Sequence, residues 1–330
     1  MESFPRPEIA ESVGDCGKTR HDLGINQIHP KKFSGAKPMK VTELWQKKKP
    51  TISFEFFPAR NAEAAEKLTK VIDQLVMMGP DFVSVTFGAG GSTREGSLQL
   101  VEVLKHDLKQ EVMAYFAGFG LGPDDIQGVL DSYSELGVDN VLVVRGDPPH
   151  GQPDFKPHPE SLAHASDLMA YIRPRYSFCL GVAGYPEGHI EAESREKDLE
   201  HLKLKVDQGA EYIITNYFYD NRFYFDFVAG CRQLGITVPI LPGIMPIFSV
   251  KMMENLAKLC GASISGELRQ KLGALPSGDN QALLAFGIDF AFEQCKELIS
   301  AGAPGLHFYT MDRSHSTAGV LARLRREGLL

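Results

Sequence analysis

From Pro50 onward, short apolar runs alternate with stretches of helical spacing. The runs fall at 52–57, 82–87, 112–116, 141–144, 178–183, 212–216, 239–245 and 306–310. Between them apolar residues recur three and four apart. Leu68, Val71, Ile72, Leu75 and Val76 do so within 64–78, and Leu199, Leu202 and Val206 within 191–208. Such spacing puts the apolar side chains on one helical face. Eight runs, each followed by a helix, predict an α/β fold of the TIM-type (β/α)8 class: a closed parallel barrel. An open doubly wound sheet is the alternative. The roughly 280 residues from 50 to the end suit a barrel of about 250 residues with insertions. The longest connection, between runs seven and eight, is predicted to carry extra helices at 250–259, 266–275 and 281–300. A short helix at 41–48 is expected to close the bottom of the core. Residues 1–38 are polar, rich in Gly, Pro, Lys and His and without period, so an N-terminal extension is expected there and a single catalytic barrel over 39–330.

Composition narrows the class. The chain has 330 residues, 43% of them hydrophobic, and a net charge of −7. No basic footprint exists for nucleic acid or anionic membranes, so neither is an expected partner. Cys16, Cys179, Cys231, Cys260 and Cys295 are scattered and odd in number, without CxxC spacing. That argues against a disulfide framework or a zinc site and fits a reducing, cytoplasmic setting. The N-terminus is acidic where a secretion signal needs a basic start, and no stretch approaches the length of a membrane span.

The run at 52–57 carries one carboxylate, Glu55, among Phe54, Phe56 and Phe57. Alternation puts Phe54 and Phe56 on one face and Ser53, Glu55 and Phe57 on the other. A carboxylate buried there must be paired or hold its proton, and a carboxylic acid kept protonated near neutral pH is what a general acid needs. The plainer alternative is a Glu facing solvent from a half-buried strand. Barrel chemistry gathers at the C-terminal strand ends. Those ends offer Glu55, Thr86, Tyr115, Ala117, Arg145-Gly146-Asp147, Tyr185, His189, Asn216, Met245 to Phe248, and Arg313. No lysine ends a strand, which disfavours a Schiff-base aldolase. No HxH stands on the first strand, which disfavours a metal-dependent hydrolase, and no metal is expected. His150, His158 and His164 share one Pro/Gly-rich loop and read as a loop rather than a metal site. The Gly-rich 88–93 could cradle phosphate or be a plain turn. Asp147, beside Arg145, is expected to be buried and paired.

Taken together, SFEFFPAR at 53–60, FVSVTFGAGGST at 82–93, VVRGDPP at 143–149, AGYPEGH at 183–189, YIITNYFYD at 212–220, ILPGIMPI at 240–247 and HFYTMDR at 307–313 resemble the methylenetetrahydrofolate reductase family. The resemblance implies an eight-stranded barrel that binds FAD. It also implies reduction of 5,10-methylenetetrahydrofolate to 5-methyltetrahydrofolate by NADH or NADPH, in one-carbon and methionine metabolism. It puts Glu55 on the general acid and Asp147 on the aspartate near flavin and pterin. Thr86, Tyr115, Arg145, Gly146, Asp147, His164, Ala165, Tyr185, His189, Asp198 and Lys205 fall on the cofactor side. Asn216, Phe248, Met311 and Arg313 join Glu55 and Asp147 on the folate side. The length resembles the short bacterial form, barrel only, and a homo-oligomer is implied.

Three positions depart from the family pattern. Asn216 stands where the family has glutamine. Tyr115-Phe116-Ala117 replaces a common His-Leu-Thr, and His164 replaces a frequent tyrosine. Two further readings therefore stay open: direct hydride transfer from NADH to folate without flavin, and a folate-binding or methyl-transfer barrel that is not a reductase.

Overall fold

The computed structural model describes residues 39–87, 94–148 and 154–330. The expected extension at 1–38, the Gly-rich loop 88–93 and His150 lie outside the described residues.

Eight parallel strands pair in chain order and close into a barrel, so the barrel, not the open sheet, is the fold. They are β1 Thr51–Phe56, β2 Phe82–Val85, β3 Val112–Ala117, β4 Asn140–Val144, β5 Cys179–Gly184, β6 Tyr212–Tyr217, β7 Ile240–Ile244 and β8 Gly305–Tyr309. The helices are α1 Val41–Lys47, α2 Ala62–Val76, α3 Arg94–Glu102, α4 Pro123–Glu135, α5 Ala165–Ile172, α6 Arg195–Asp207, α7 Asn221–Gln233, α8 Val250–Cys260, α9 Gly266–Gly273, α10 Asn280–Ser300 and α11 His315–Arg326. A π-helical turn at Val103–Asp107 continues α3. The extra helices expected between the last two strands are α8, α9 and α10. Several helices start where a side chain takes up a free backbone N–H: Asn61 for α2, Ser194 for α6, Ser249 for α8, Ser265 for α9 and Asp279 for α10. A cap of this kind is typically worth about 1 kcal/mol.

Alternation along the strands sorts two layers. Phe54 and Phe56 pack outward with Leu68, Ile72 and Leu75 of α2. Phe82, Met113, Leu142, Tyr212 and Leu241 fill the lower interior, where Val41 and Trp45 of α1 close it. The Trp45 indole N–H donates to Thr51 Oγ1 at 2.8 Å, and its ring meets Tyr212 edge-on at 5.5 Å. Gly181 makes room for that layer, since a Cβ there would stand 2.0 Å from the Tyr212 ring.

A polar latch ties the start of the described chain to the barrel floor. Asn140, fully buried, accepts from Val41 N at 2.8 Å and donates to Glu111 Oε1 at 2.8 Å. Lys105 Nζ lies 3.9 Å from Glu111. Burial pushes the Glu111 carboxyl up to about 7, against the pull of Lys105. The folded protein therefore holds this proton across a range, upward from the ordinary glutamate value of 4.5, where the unfolded chain has released it. Stability from this group is present at low pH and is lost as pH rises toward 7. Glu111→Gln should thus gain on the wild type by about 2 kcal/mol between about pH 5 and about pH 8. Urea unfolding at both pH values measures it, and a constant difference would refute it.

Candidate active site

At the C-terminal end of the barrel, β1 presents Glu55, 3% exposed. The strand places it. Register puts Ser84 of β2 and Tyr309 of β8 beside it, and Thr310 Oγ1 donates to its backbone carbonyl at 2.6 Å. Its carboxylate is buried, as expected, but only loosely paired. Oε2 lies 3.9 Å from His307 Nε2 and makes no hydrogen bond among the described residues. His307 is held from behind, with Nδ1 2.8 Å from Ser53 Oγ. Tyr309 donates to Thr215 O at 2.8 Å, and Gly243 admits its ring, since a Cβ there would lie 2.4 Å from it. Tyr115 points inward as well. Its hydroxyl is buried without a hydrogen-bond partner. Burial first, then the Glu55 charge, holds its ionisation well above the ordinary tyrosine range.

The turn after β8 adds Asp312. Met311 and Asp312 both have positive φ, 50° and 51°, a conformation that costs a non-glycine residue and persists where surroundings enforce it. Asp312 accepts from Phe57 N at 3.3 Å. Burial raises its carboxyl to about 6, and Glu55 adds to the rise. Arg313 stacks over Phe248 at 4.7 Å. Met245, Tyr217 and Ile247, with Met311 and Tyr309 packed against them, form an apolar wall.

The β4–β5–α6 side mixes charges: Arg145 and Lys205 with Asp147, Glu191 and Asp198. Arg145 bonds Glu191 at 2.6 Å and lies 3.6 Å from Asp147. Asp147 is 81% exposed, so the expected buried aspartate is instead at the rim. The strand ends at Val144, three residues before it, and Glu191 takes the guanidinium. Tyr185 and His189 meet edge-on at 4.6 Å. Asp198 accepts from His189 N at 3.2 Å. Lys205 Nζ donates to Ala183 O at 3.0 Å, and burial lowers it to about 8 despite Asp198. Gly146 has φ +85° and faces the Ala117 Cβ, 2.9 Å from where its own would be. Thr86 follows β2. His164 caps α5, and Ala165 begins it. Asn216 Nδ2 donates to Cys260 O at 3.3 Å, which ties β6 to the end of α8.

The predicted residues thus divide into two groups. Glu55, Tyr115, Asn216, Phe248, Met311 and Arg313 belong to the interior, its end or the β8 rim, whereas Arg145, Asp147, Tyr185, His189, Asp198 and Lys205 form the β4–β5–α6 side. Sequence reading passed over Ser84, His307, Tyr309 and Asp312. Alternation along β8 from Gly305 carried the signal for two of them, since it puts His307 and Tyr309 on the face that Glu55 shares.

Among the described residues no group of three His, Cys, Asp or Glu side chains is placed to hold a metal ion, and no helix is long and apolar enough to cross a membrane. A larger cleft of about 990 Å³ lies at the opposite end of the barrel, between α1, α7 and Ala301–Pro304. It lacks a buried unpaired carboxylate, so the barrel mouth is the better candidate for chemistry.

A closed parallel barrel with an acid at the end of its first strand belongs to the class of (β/α)8 barrels. The family described as methylenetetrahydrofolate reductase matches residues 40–325, and the chain belongs to it. It is 39% identical over 296 residues to "Methylenetetrahydrofolate reductase (NADH) 1" of Arabidopsis thaliana, covering 86% of this chain and 50% of that protein. Over 281 residues it is 36% identical to "Methylenetetrahydrofolate reductase 1" of Schizosaccharomyces pombe, covering 84% and 46%. It is 33% identical over 271 residues to "5,10-methylenetetrahydrofolate reductase" of Escherichia coli, covering 82% of this chain and 88% of that one. The chain therefore spans about half the length of the plant and fission-yeast relatives.

Proposed function

We propose that this chain reduces 5,10-methylenetetrahydrofolate to 5-methyltetrahydrofolate with electrons from NADH or NADPH, and that FAD is its bound cofactor. The observation that carries the reading is Glu55, a carboxyl buried at a strand end with an unpaired oxygen. Opening the five-membered ring needs a proton at the departing nitrogen, and Glu55 is placed to hold one. The iminium left behind is cationic, and Asp312 and Asp147 add negative potential around it. The apolar wall of Met245, Tyr217 and Met311 excludes water from a flat heterocycle. Arg313 offers a cation to the folate carboxylates.

Donors on the β4–β5–α6 side suit a dinucleotide. Lys205 is a partly buried ammonium with one carbonyl as hydrogen-bond acceptor, so it has donors left for a diphosphate, and His189 and Arg145 lie on the same side. When bound, FAD would supply the hydride taken from the nicotinamide.

A flavin absorbance spectrum of the purified protein, together with NADH oxidation that requires methylenetetrahydrofolate, tests the reading. A colourless protein that still oxidises NADH with folate would mean direct hydride transfer, a reading that the bare Ala117 at the end of β3 favours. Folate binding without NADH oxidation would refute reductase function.

Asn216 supplies a further test. Its amide is one carbon–carbon bond, about 1.5 Å, shorter in reach than glutamine's, and it is engaged with Cys260 O. Asn216→Gln should lower KM for folate or raise kcat, with flavin content and thermal stability nearly unchanged. Loss of activity would show a pocket built around the shorter side chain.

A further inference from the structure

Four polar atoms in the middle of the barrel are buried and have no hydrogen-bond partner among the described residues: Glu55 Oε2, Ser84 Oγ, Tyr115 OH and His307 Nε2. They belong together. Ser84 is the register neighbour of Glu55, and His307 Nε2 is 3.9 Å from Glu55 Oε2. Glu55 and Ser84 both bear on the Tyr115 hydroxyl. Each buried polar atom left unpaired costs about 1–3 kcal/mol, so four in contact are not a stable arrangement by themselves. A separation of 3.9 Å is too long for a direct hydrogen bond and suits one bridging molecule. A buried water typically makes about three hydrogen bonds to such atoms, and this set offers that number and more.

We infer that one water molecule sits among Glu55, Ser84, Tyr115 and His307, and that Tyr115 is the positioning residue that fixes it against the Glu55 carboxyl. This rests on the reductase reading for its catalytic half only. Water and Tyr115 donate to the carboxylate that remains once Glu55 has given its proton to the substrate nitrogen. In the transfer the O–H bond breaks and an N–H bond forms; the ring carbon–nitrogen bond then breaks, its electron pair staying on the protonated nitrogen and leaving the iminium. Those hydrogen bonds stabilise the carboxylate that is left when the proton has gone. Tyr115 stands where the family commonly has histidine, so the device is a property of this chain. The titratable groups that face Glu55 are His307 and Tyr309 from β8, Tyr115 from β3 and Asp312 from the turn after β8.

A crystal structure of the whole protein at a resolution that orders solvent tests the first half. A water is expected within about 2.6–3.2 Å of at least three of the four atoms. A dry chamber, or direct bonds among the four groups, overturns the inference. Tyr115→Phe tests the second half. It should fold with unchanged thermal stability, lower kcat for folate reduction roughly 3- to 10-fold, as one lost donor implies, and leave KM alone. The alkaline limb of its pH–kcat profile should move to higher pH. A merely structural tyrosine would leave that profile in place, and an unmoved profile overturns the assignment. Ser84→Ala should move it in the same direction. The water is seen or not seen whatever the protein catalyses. A dry chamber in an active enzyme therefore sinks this inference alone, and an inactive wild type with the water present sinks the reductase reading while the water site stands.

Discussion

Replacing Glu55 by glutamine should leave the barrel folded and its flavin content unchanged while folate reduction falls by about 10²–10⁴-fold, the usual cost of a lost general acid. The substitution keeps shape and volume, and Oε2 makes no hydrogen bond to another described residue, while an amide can still bond the inferred water, so its cost to folding is small. His307 Nε2, 3.9 Å away, tolerates a neutral amide. Reduction of bound flavin by NADH needs no proton from this position and should persist. Stopped-flow measurement of the two half-reactions separates these outcomes. A variant that reduces methylenetetrahydrofolate at near the wild-type rate would make Glu55 a structural residue and remove the basis of the proposed function.

The second large effect is expected at Lys205→Met. The ammonium is partly buried, donates to Ala183 O at 3.0 Å and is lowered to about 8 by burial, with Asp198 opposing. If it meets the cofactor diphosphate, methionine of similar length removes a charge-assisted bond worth about 1.5–3 kcal/mol, or roughly 10- to 150-fold in flavin affinity. Wild-type affinity should also weaken as pH rises past about 8, because the free lysine loses its proton there and an anion binds the charged form. Fluorescence titration of FAD into flavin-stripped protein measures both. Equal affinity in the variant, or a pH-independent wild type, would place Lys205 in a purely structural pair with Asp198.

The local pattern held much of this protein. Period-two apolar runs and period-3.6 stretches depend on nearest neighbours along the chain, so all eight strands and the three extra helices before β8 were legible from residue spacing. Alternation put Glu55 and Ser53 on a face apart from Phe54 and Phe56, as the barrel does. The expected pairing of Asp147 with Arg145 was legible in sequence, but not its exposure. Whether a loop residue is buried depends on distant segments: here Glu191, forty-four residues later in the chain, takes the Arg145 guanidinium and Asp147 stays exposed.

What the tertiary structure decided is who faces whom across the barrel. Ser84, Tyr115 and His307 are separated from Glu55 by up to 252 residues, and although Tyr115 lies near a strand end and alternation puts His307 on the inward face, nothing local says that they meet it. They meet because closure brings β8 beside β1 and staggers each strand so that Ser53 pairs with His307 and Glu55 with Ser84. Asp312 is likewise ordinary in sequence. It becomes a half-buried acid only because the turn after β8 folds back onto Phe57 N in a left-handed conformation. By itself the sequence determined the elements, the barrel, the family and the acid at its first strand, since these follow from local periodicity and contiguous motifs. The polar environment that governs that acid is a long-range property, set by strand register and burial, and only the closed barrel supplies it.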